Sequence, residues 1–302
     1  MPVYLAVRRR CDRAAGEPCA ARAVCRAGLR EGARAVRGPV VEAIQSILPI
    51  VDEFVVNVGR CEDGTLELIR SIGDPKIRIV ESVWDETLRK DGLIYSQETN
   101  IALASCTGEW AFYLQADEVI HEDDLPGIVE AMRTYHRRPE VKGLLFRYRH
   151  FVGDYWSTNP WFYHRAVRII RNNGEVESCG DAVGFHFKAT GQYLQSGPRQ
   201  WLAPSSGRVF HYGWVKDPKT MLAKKQEMTT VYHGDAPPPS EAKLYTKDTF
   251  EFEDYDILKE FSGTHPAVMR ARIAAALRLV PRRNRWLRLA FYAAILRRGF
   301  RG

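Results

Sequence analysis

From Pro39 onward the chain alternates segments of two different hydrophobic periods, joined by connections of a few residues, and this limits the possible folds more than any other feature. PVVEAIQSILPIV places Val40, Ile44, Ile47 and Leu48 on one helical stripe, with Pro39 suited to a first turn. DEFVVNVG follows as an unbroken apolar strand ending at Gly59. DGTLELIRSIGD reads as a helix between Thr65 and Gly73, and KIRIVES as a strand with Ile77, Ile79 and Val80 apolar. SQETNIALASCTGEW is a helix closed by Thr107-Gly108, and WAFYLQ is the next strand. DLPGIVEAMRTYH and VKGLLFRYRHFVG repeat the helix–strand unit. Strands without polar alternation must be covered on both faces, and the strict alternation predicts an α/β fold: a Rossmann-like, mostly parallel sheet flanked by helices. The aromatic and glycine-rich stretch 151–215 reads as an irregular region, and the chain end as a helical tail.

The two ends differ from this body. Residues 1–38 hold nine Arg and three acids with no Ile, Phe or Trp; residues 267–302 hold ten Arg and no acid. The net charge of +7 therefore comes from the ends, and the centre is acidic. A nucleic-acid-binding body would carry its basic residues on the folded domain, so that class is set aside. The expected organisation is an atypical, poorly ordered segment 1–38, a catalytic domain 39–235, and a linker with a basic helical region 236–302, the linker marked by Pro237, Pro238 and Pro239. Within 1–38 the stretch PVYLAV at 2–7 is the one piece suited to a strand, and the whole segment is expected outside the sheet. The six cysteines form no CxxC pair and no zinc spacing, so they read as reduced thiols in a cytoplasmic protein. LAFYAAIL at 289–296 is too short to span a bilayer. The arginine-rich tail reads either as a helix lying on an anionic membrane surface, on the inner face, or as a cap with its arginines in water.

The stretch FYLQADEVIHEDDL, residues 112–125, carries the chemistry. Glu122, Asp123 and Asp124 precede a helix and complement its dipole. Asp117 and Glu118 instead follow a buried strand directly, at the end where open α/β sheets bind ligands. Carboxylates there suit a hard cation such as Mg²⁺ or Mn²⁺ shared with substrate phosphates, and they suit a plain acidic loop equally well.

The ordered set VDEFVVNVG, EDGTLELI, KIRIVES, a DG…N segment and GEWAFYLQADE resembles the family 2 glycosyltransferases of the GT-A fold, over roughly residues 39–216. The resemblance implies that Gln115-Ala116-Asp117 stands for that family's Asp-x-Asp motif, with Asp117 the ligand of Mn²⁺ or Mg²⁺ and Gln115 at the nucleotide contact. Asn57 stands where the family commonly has Asp-Asp-Gly-Ser, and is assigned to the nucleobase or, equally, to capping the strand end. Asn100 matches the family's Ala-Arg-Asn position, and Lys90, before Asp91-Gly92, is the cation expected at the donor diphosphate. His211, in His211-Tyr212-Gly213-Trp214, is implied as a second metal ligand, with Lys216 and Lys219 assisting the leaving diphosphate. The family's first strand has no counterpart ahead of Pro39.

The implied activity is inverting transfer of a sugar from a nucleotide-diphospho-sugar donor to a hydroxyl of a cell-envelope or other glycan or of a lipid-linked acceptor. Such transfer needs one general base. RIIRNNGEVESCGDAVGFH offers Asp181 in a Gly-Asp-Ala-Val-Gly turn, with Glu177 second. Tyr155, Trp156 and Trp161 suit an acceptor sugar platform or the core. Two other readings stand beside this one: a sugar nucleotidyltransferase, whose glycine-rich phosphate loop is missing here, and a glycosyltransferase-like binding protein without turnover.

Overall fold

A computed structural model describes residues 3–8, 38–60, 63–88, 90–233, 238–250 and 258–279, with 292, 293 and 296. The chain opens with strand β1 (Val3–Arg8), helix α1 (Val40–Ile47), β2 (Glu53–Gly59), α2 (Thr65–Arg70), β3 (Ile77–Ser82) and α3 (Leu93–Ala104). It continues through β4 (Trp110–Gln115), β5 (Glu118–Ile120), α4 (Leu125–His136), β6 (Gly143–Val152), β7 (Ser157–Thr158) and β8 (Arg165–Arg171). A ribbon of β9 (Val176–Cys179) and β10 (Gly184–Phe187) precedes the long β11 (Leu202–Trp214), and α5 (Pro218–His233), α6 (Pro239–Ala242), β12 (Lys259–Glu260) and α7 (Arg270–Ala274) close it.

The unbroken apolar strands find cover on both faces of one sheet ordered β12-β7-β6-β8-β4-β1-β2-β3, to which β11 and β5 add beside β6. Because side chains alternate along a strand, Phe54, Val56, Val58, Trp110, Phe112 and Leu114 enter the core under α1 and α4. Val55, Ala111 and Tyr113 point the other way, into a second core with Ala102 and Leu103 of α3 and with Val176 and Phe185 of the ribbon. Each helix and strand that the pattern placed between residues 39 and 152 is present.

The sheet itself corrects the expectation of a mostly parallel, GT-A Rossmann-like architecture. Among the described residues only β2 with β3 and β6 with β11 pair in parallel; the other pairings are antiparallel. The fold is mixed α/β. Two-sided burial makes a strand apolar throughout, but it says nothing about the direction of the neighbour, which the order of the strands decides. Here β2, β3 and β4 do run in one direction, yet β1 lies between β2 and β4 and is antiparallel to both.

That placement also corrects the expectation for residues 1–38. Val3–Arg8 pairs inside the central sheet, Val3 standing opposite both Asn57 and Gln115. Backbone hydrogen bonds to two neighbours outweigh the weak apolar pattern that set this segment apart. The irregular conformation expected for the rest of the segment concerns residues 9–37, which lie outside the described residues, as does most of the basic tail beyond 279. Among the described residues no helix is long and apolar enough to cross a membrane.

Under the β4–β5 turn, Arg168 and Glu118 are fully buried and form a two-pronged pair at 2.9 and 3.0 Å, with the Tyr148 hydroxyl donating to Glu118 at 2.7 Å. Removing one partner leaves an uncompensated charge inside the core. Arg168→Leu is therefore expected to cost about 3–5 kcal/mol of stability, read as a lower urea midpoint, and adding Glu118→Leu should recover most of it. A single variant as stable as the parent would remove the pair from this role.

Candidate functional site

Because β2, β3 and β4 share a direction, Asn57, Ser82 and Gln115 end at one edge of the sheet, the carboxyl edge where ligands of such sheets bind. The turn Ala116-Asp117 that follows β4 reverses into β5, and Tyr212 of β11 donates its backbone N–H to the Asp117 carbonyl at 2.8 Å. Asp117 is buried, at 5% exposed. Its Oδ2 accepts from Lys224 Nζ of α5 at 3.3 Å, and its Oδ1 faces His211 Nε2 at 3.7 Å with no hydrogen-bond partner. Burial alone would raise this carboxyl, but Lys224, joined by His211 once that ring is protonated in acid, overcomes it and holds its pKa at about 2. Lys224 also donates to the Gly213 carbonyl at 3.0 Å, and Lys216, half-buried, is pushed down by burial and by Lys224. Only glycine fits at 213, since a Cβ there would run into Asp117 Oδ2 and His211 Nε2.

The histidines have a defined proton arrangement. His150 is buried, and burial together with His211 drives its pKa down to about 3, so it is neutral. Its Nε2 donates to the Tyr163 carbonyl at 2.8 Å, which leaves Nδ1 as an acceptor. That Nδ1 lies 3.2 Å from His211 Nδ1, so His211 donates there and carries its lone pair on Nε2, toward Asp117. Burial also lowers His211, keeping that lone pair available at neutral pH. The result is an anionic oxygen and a nitrogen lone pair aimed at one spot, with the second imidazole fixing the orientation of the first.

These residues fit a hard divalent cation that takes the rest of its shell from substrate oxygens and water. They do not form a closed protein cage: among the described residues no group of three or more His, Cys, Asp or Glu is placed to hold a metal ion. Asp117 and His211 would hold such an ion. Glu118, taken at first as a partner acid, is excluded because Arg168 and Tyr148 occupy its oxygens.

Beside this centre lies a second polar group. Asn57, 1% exposed, donates to the Glu98 carbonyl at 3.0 Å and to Glu98 Oε2 at 2.8 Å, while the Ser82 hydroxyl donates to the same Oε2. Asn57 Oδ1, Glu98 Oε1 and Trp84 Nε1 are buried without partners. The Trp84 indole lies against Gly59, close enough that a Cβ at 59 would strike it. Unpaired donors and acceptors beside an aromatic plane suit a planar heterocycle.

The remaining expected residues divide. Gln115 stays at the β4 end, donating to the Tyr113 hydroxyl at 3.0 Å. Asn100 is committed to the Ser178 backbone at 3.0 and 2.8 Å, so it pins β9 to α3 and has no amide group left for a donor. Lys90 opens a short 3-10 turn with Gly92, and its side chain lies outside the described residues. Asp181 accepts from Tyr232 of α5 at 2.7 Å and packs against Gly92, whose φ of +70° and close approach exclude a side chain. Glu177 pairs with His186 at 3.1 Å. No hydrogen bond or ion pair joins Asp181 or Glu177 to Asp117. Of the expected acceptor platform, Tyr155 is buried against Tyr212 and His265, and the Trp156 ring is covered by Arg278; Trp161 stays half-buried.

Lys224, His150, Glu98, Trp84 and Tyr232 were not singled out by the sequence. Lys224 carried one weak signal, a helical lysine eight residues beyond Lys216; His150 carried none, since an isolated histidine in a strand reads as core. No known family model matches the chain, and no curated protein matches it.

The lowered pKa of Asp117 sets a pH dependence. Its folded value of about 2 lies below the ordinary 3.8. The ionised carboxylate therefore contributes stability that is present above pH 3.8 and lost as pH falls through about 2, of the order of 2 kcal/mol. Asp117→Asn is expected to be less stable than the parent near neutrality, with the gap closing below about pH 4 in acid titrations followed by circular dichroism. A gap unchanged down to pH 2 would show that Lys224 and His211 do not stabilise the ionised form.

Proposed function

We propose that this protein is an inverting glycosyltransferase that moves a sugar from a nucleotide-diphospho-sugar to a hydroxyl of a glycan or lipid-linked acceptor. The observation that carries the reading is the Asp117–His211 centre: an unpartnered carboxylate oxygen and an imidazole lone pair beside Lys216 and Lys224, at the carboxyl edge of three co-directed strands. A diphosphate carries the charge that two lysines attract, and Asp117 with His211 would hold Mn²⁺ or Mg²⁺ next to it. Such an ion, when bound, neutralises charge on the diphosphate leaving group. The nucleobase then falls to Asn57, Glu98 and Trp84, whose open hydrogen-bonding atoms lie on the β2 and β3 side.

Helix α5 supplies the scale. Lys224 reaches Asp117 and Tyr232 reaches Asp181 from the same helix, eight residues apart, a rise of about 12 Å. That separation leaves room for a hexose between the leaving diphosphate and a base. Asp181, held by Tyr232 and by the Val183 N–H, is the residue assigned to take the acceptor proton. Glu177, occupied by His186, is second. A cytoplasmic setting goes with this reading, supported by the free thiols of Cys106 and Cys179, and the basic tail is assigned peripheral contact with the inner membrane face.

Calorimetric titration of a nucleoside diphosphate is expected to tighten on addition of Mn²⁺, and Asp117→Asn and Gly213→Ala should each abolish that gain. Metal-independent binding in the parent would remove the cation from the reading, and no binding at all would remove the donor site. With a nucleotide-sugar donor, Asp181→Asn is expected to lower turnover by about a hundredfold or more with donor binding intact. If Glu177→Gln is the crippled variant instead, the base is Glu177.

A further inference from the structure

A groove made of two adjoining hollows, with Arg165 and Gln195 in the walls of both, runs along β6 and β8 beside the candidate site. It begins at Tyr163, Val183 and Tyr193 and continues past Arg165 and Gln195 to Arg147 and Arg199, the second part enclosing about 620 Å³. Its near end touches the site from two sides. The Tyr163 ring packs 4.5 Å from the ring of His150, the partner of His211, and Val183 N–H bonds Asp181.

The charge in this groove is one-signed. Arg147 and Arg165 stand directly opposite each other in the antiparallel β6–β8 ladder. On its other side Arg147 is in register with Arg208 of β11. Like charges directly across a ladder destabilise it, and proteins ordinarily relieve them with a nearby acid. Arg208 has that relief, from Asp124 at 2.8 Å. Arg147, Arg165 and Arg199 are exposed and none makes an ion pair among the described residues; no acid lines the groove. The neighbouring carboxylates are engaged elsewhere: Asp124 with Arg208, Glu177 with His186, and Asp181, at the near end, with Tyr232. One exposed arginine would carry no inference. Three without acids, two of them cross-strand, interleaved with exposed tyrosines in a concave channel that leads to the assigned base, describe a binding surface.

We infer that this groove binds the acceptor, and that the acceptor is an anionic sugar bearing phosphate or carboxylate groups, which the arginines clamp while Tyr163 and Tyr193 contact the apolar faces of its rings. Guanidinium forks match either anion in two-pronged geometry. As an acceptor subsite the inference rests on the glycosyl-transfer reading; as an anion-binding groove it stands alone.

The test is calorimetric titration of the full chain with three probes: trigalacturonate for carboxylate, glucose 6-phosphate for phosphate, and neutral maltotriose. At least one anionic probe is expected to bind about tenfold or more tighter than maltotriose, weakening as salt is raised. The Arg147→Gln, Arg165→Gln double variant should lose that advantage, and its melting temperature should be unchanged or higher because a like-charge pair is gone. If the double variant melts lower, Arg199→Gln alone provides the comparison, with a smaller loss expected. Equal binding of all three probes, or anion binding unchanged in the variants, overturns the inference. Anion binding lost in the variants, with no nucleoside diphosphate binding in the parent, upholds the groove and sinks the glycosyltransferase reading. Transfer to maltotriose at equal rates in parent and double variant does the opposite.

Discussion

The pairing of Glu118 with Arg168 underlies the arrangement of the site. Both side chains are fully buried, and the carboxylate also takes the Tyr148 hydroxyl and the Gln115 backbone N–H. Two charges in a core are tolerated only in one geometry, so β5 cannot slide against β8 without breaking it. Glu118 is directly opposite His211 in the β5–β11 ladder. Fixing Glu118 therefore fixes the register of β11, which brings His211 Nε2 in front of Asp117. A one-residue slip would turn His211 to the other face. The acid that looked like a ligand is thus the anchor that positions Asp117 and His211.

Two opposed demands meet at Asp117. The β4–β5 turn is buried, where a carboxylate would prefer its proton, yet Lys224 keeps it ionised at any ordinary pH. The charge is stabilised but not saturated, since Oδ1 remains without a hydrogen bond. The His150–His211 relay serves the same end: one imidazole is kept neutral by burial so that the other presents a lone pair rather than a proton. Gly213 leaves the space in which these atoms face each other.

Much of this was legible from local pattern. The continuous apolar runs of β2 and β4 located the two-sided core, and the abrupt change from Leu114 to Asp117 located the site edge. Asp181 was singled out by its glycine-flanked turn, and Ala182 beside it does adopt a φ of +61°. Other readings failed because the deciding partner was remote in sequence. Asn100 looks available until Ser178 claims both ends of its amide, 78 residues away. Tyr155 and Trp156 look like a platform until Tyr212, His265 and Arg278 cover them. Asp117 and Glu118 are neighbours of like chemistry, and only Arg168, 50 residues on, separates their roles.

Between residues 39 and 152 the sequence alone determined which segments become helices and strands and which strands lose both faces to solvent, because hydrophobic period is a local property that burial must satisfy; the stretch 151–215, read as irregular, instead holds β7 to β11. It also determined that acids stand at the end of β4. The tertiary structure decided the directions of the strands, the entry of Val3–Arg8 between β2 and β4, the commitment of Glu118 to the core and of Asp117 to the site, and the gathering of arginines from β6 and β8 and of Arg199 along one groove. These depend on ladder order and on pairings between distant residues, and a linear pattern of apolar and polar positions does not encode which of several compatible neighbours a strand will meet.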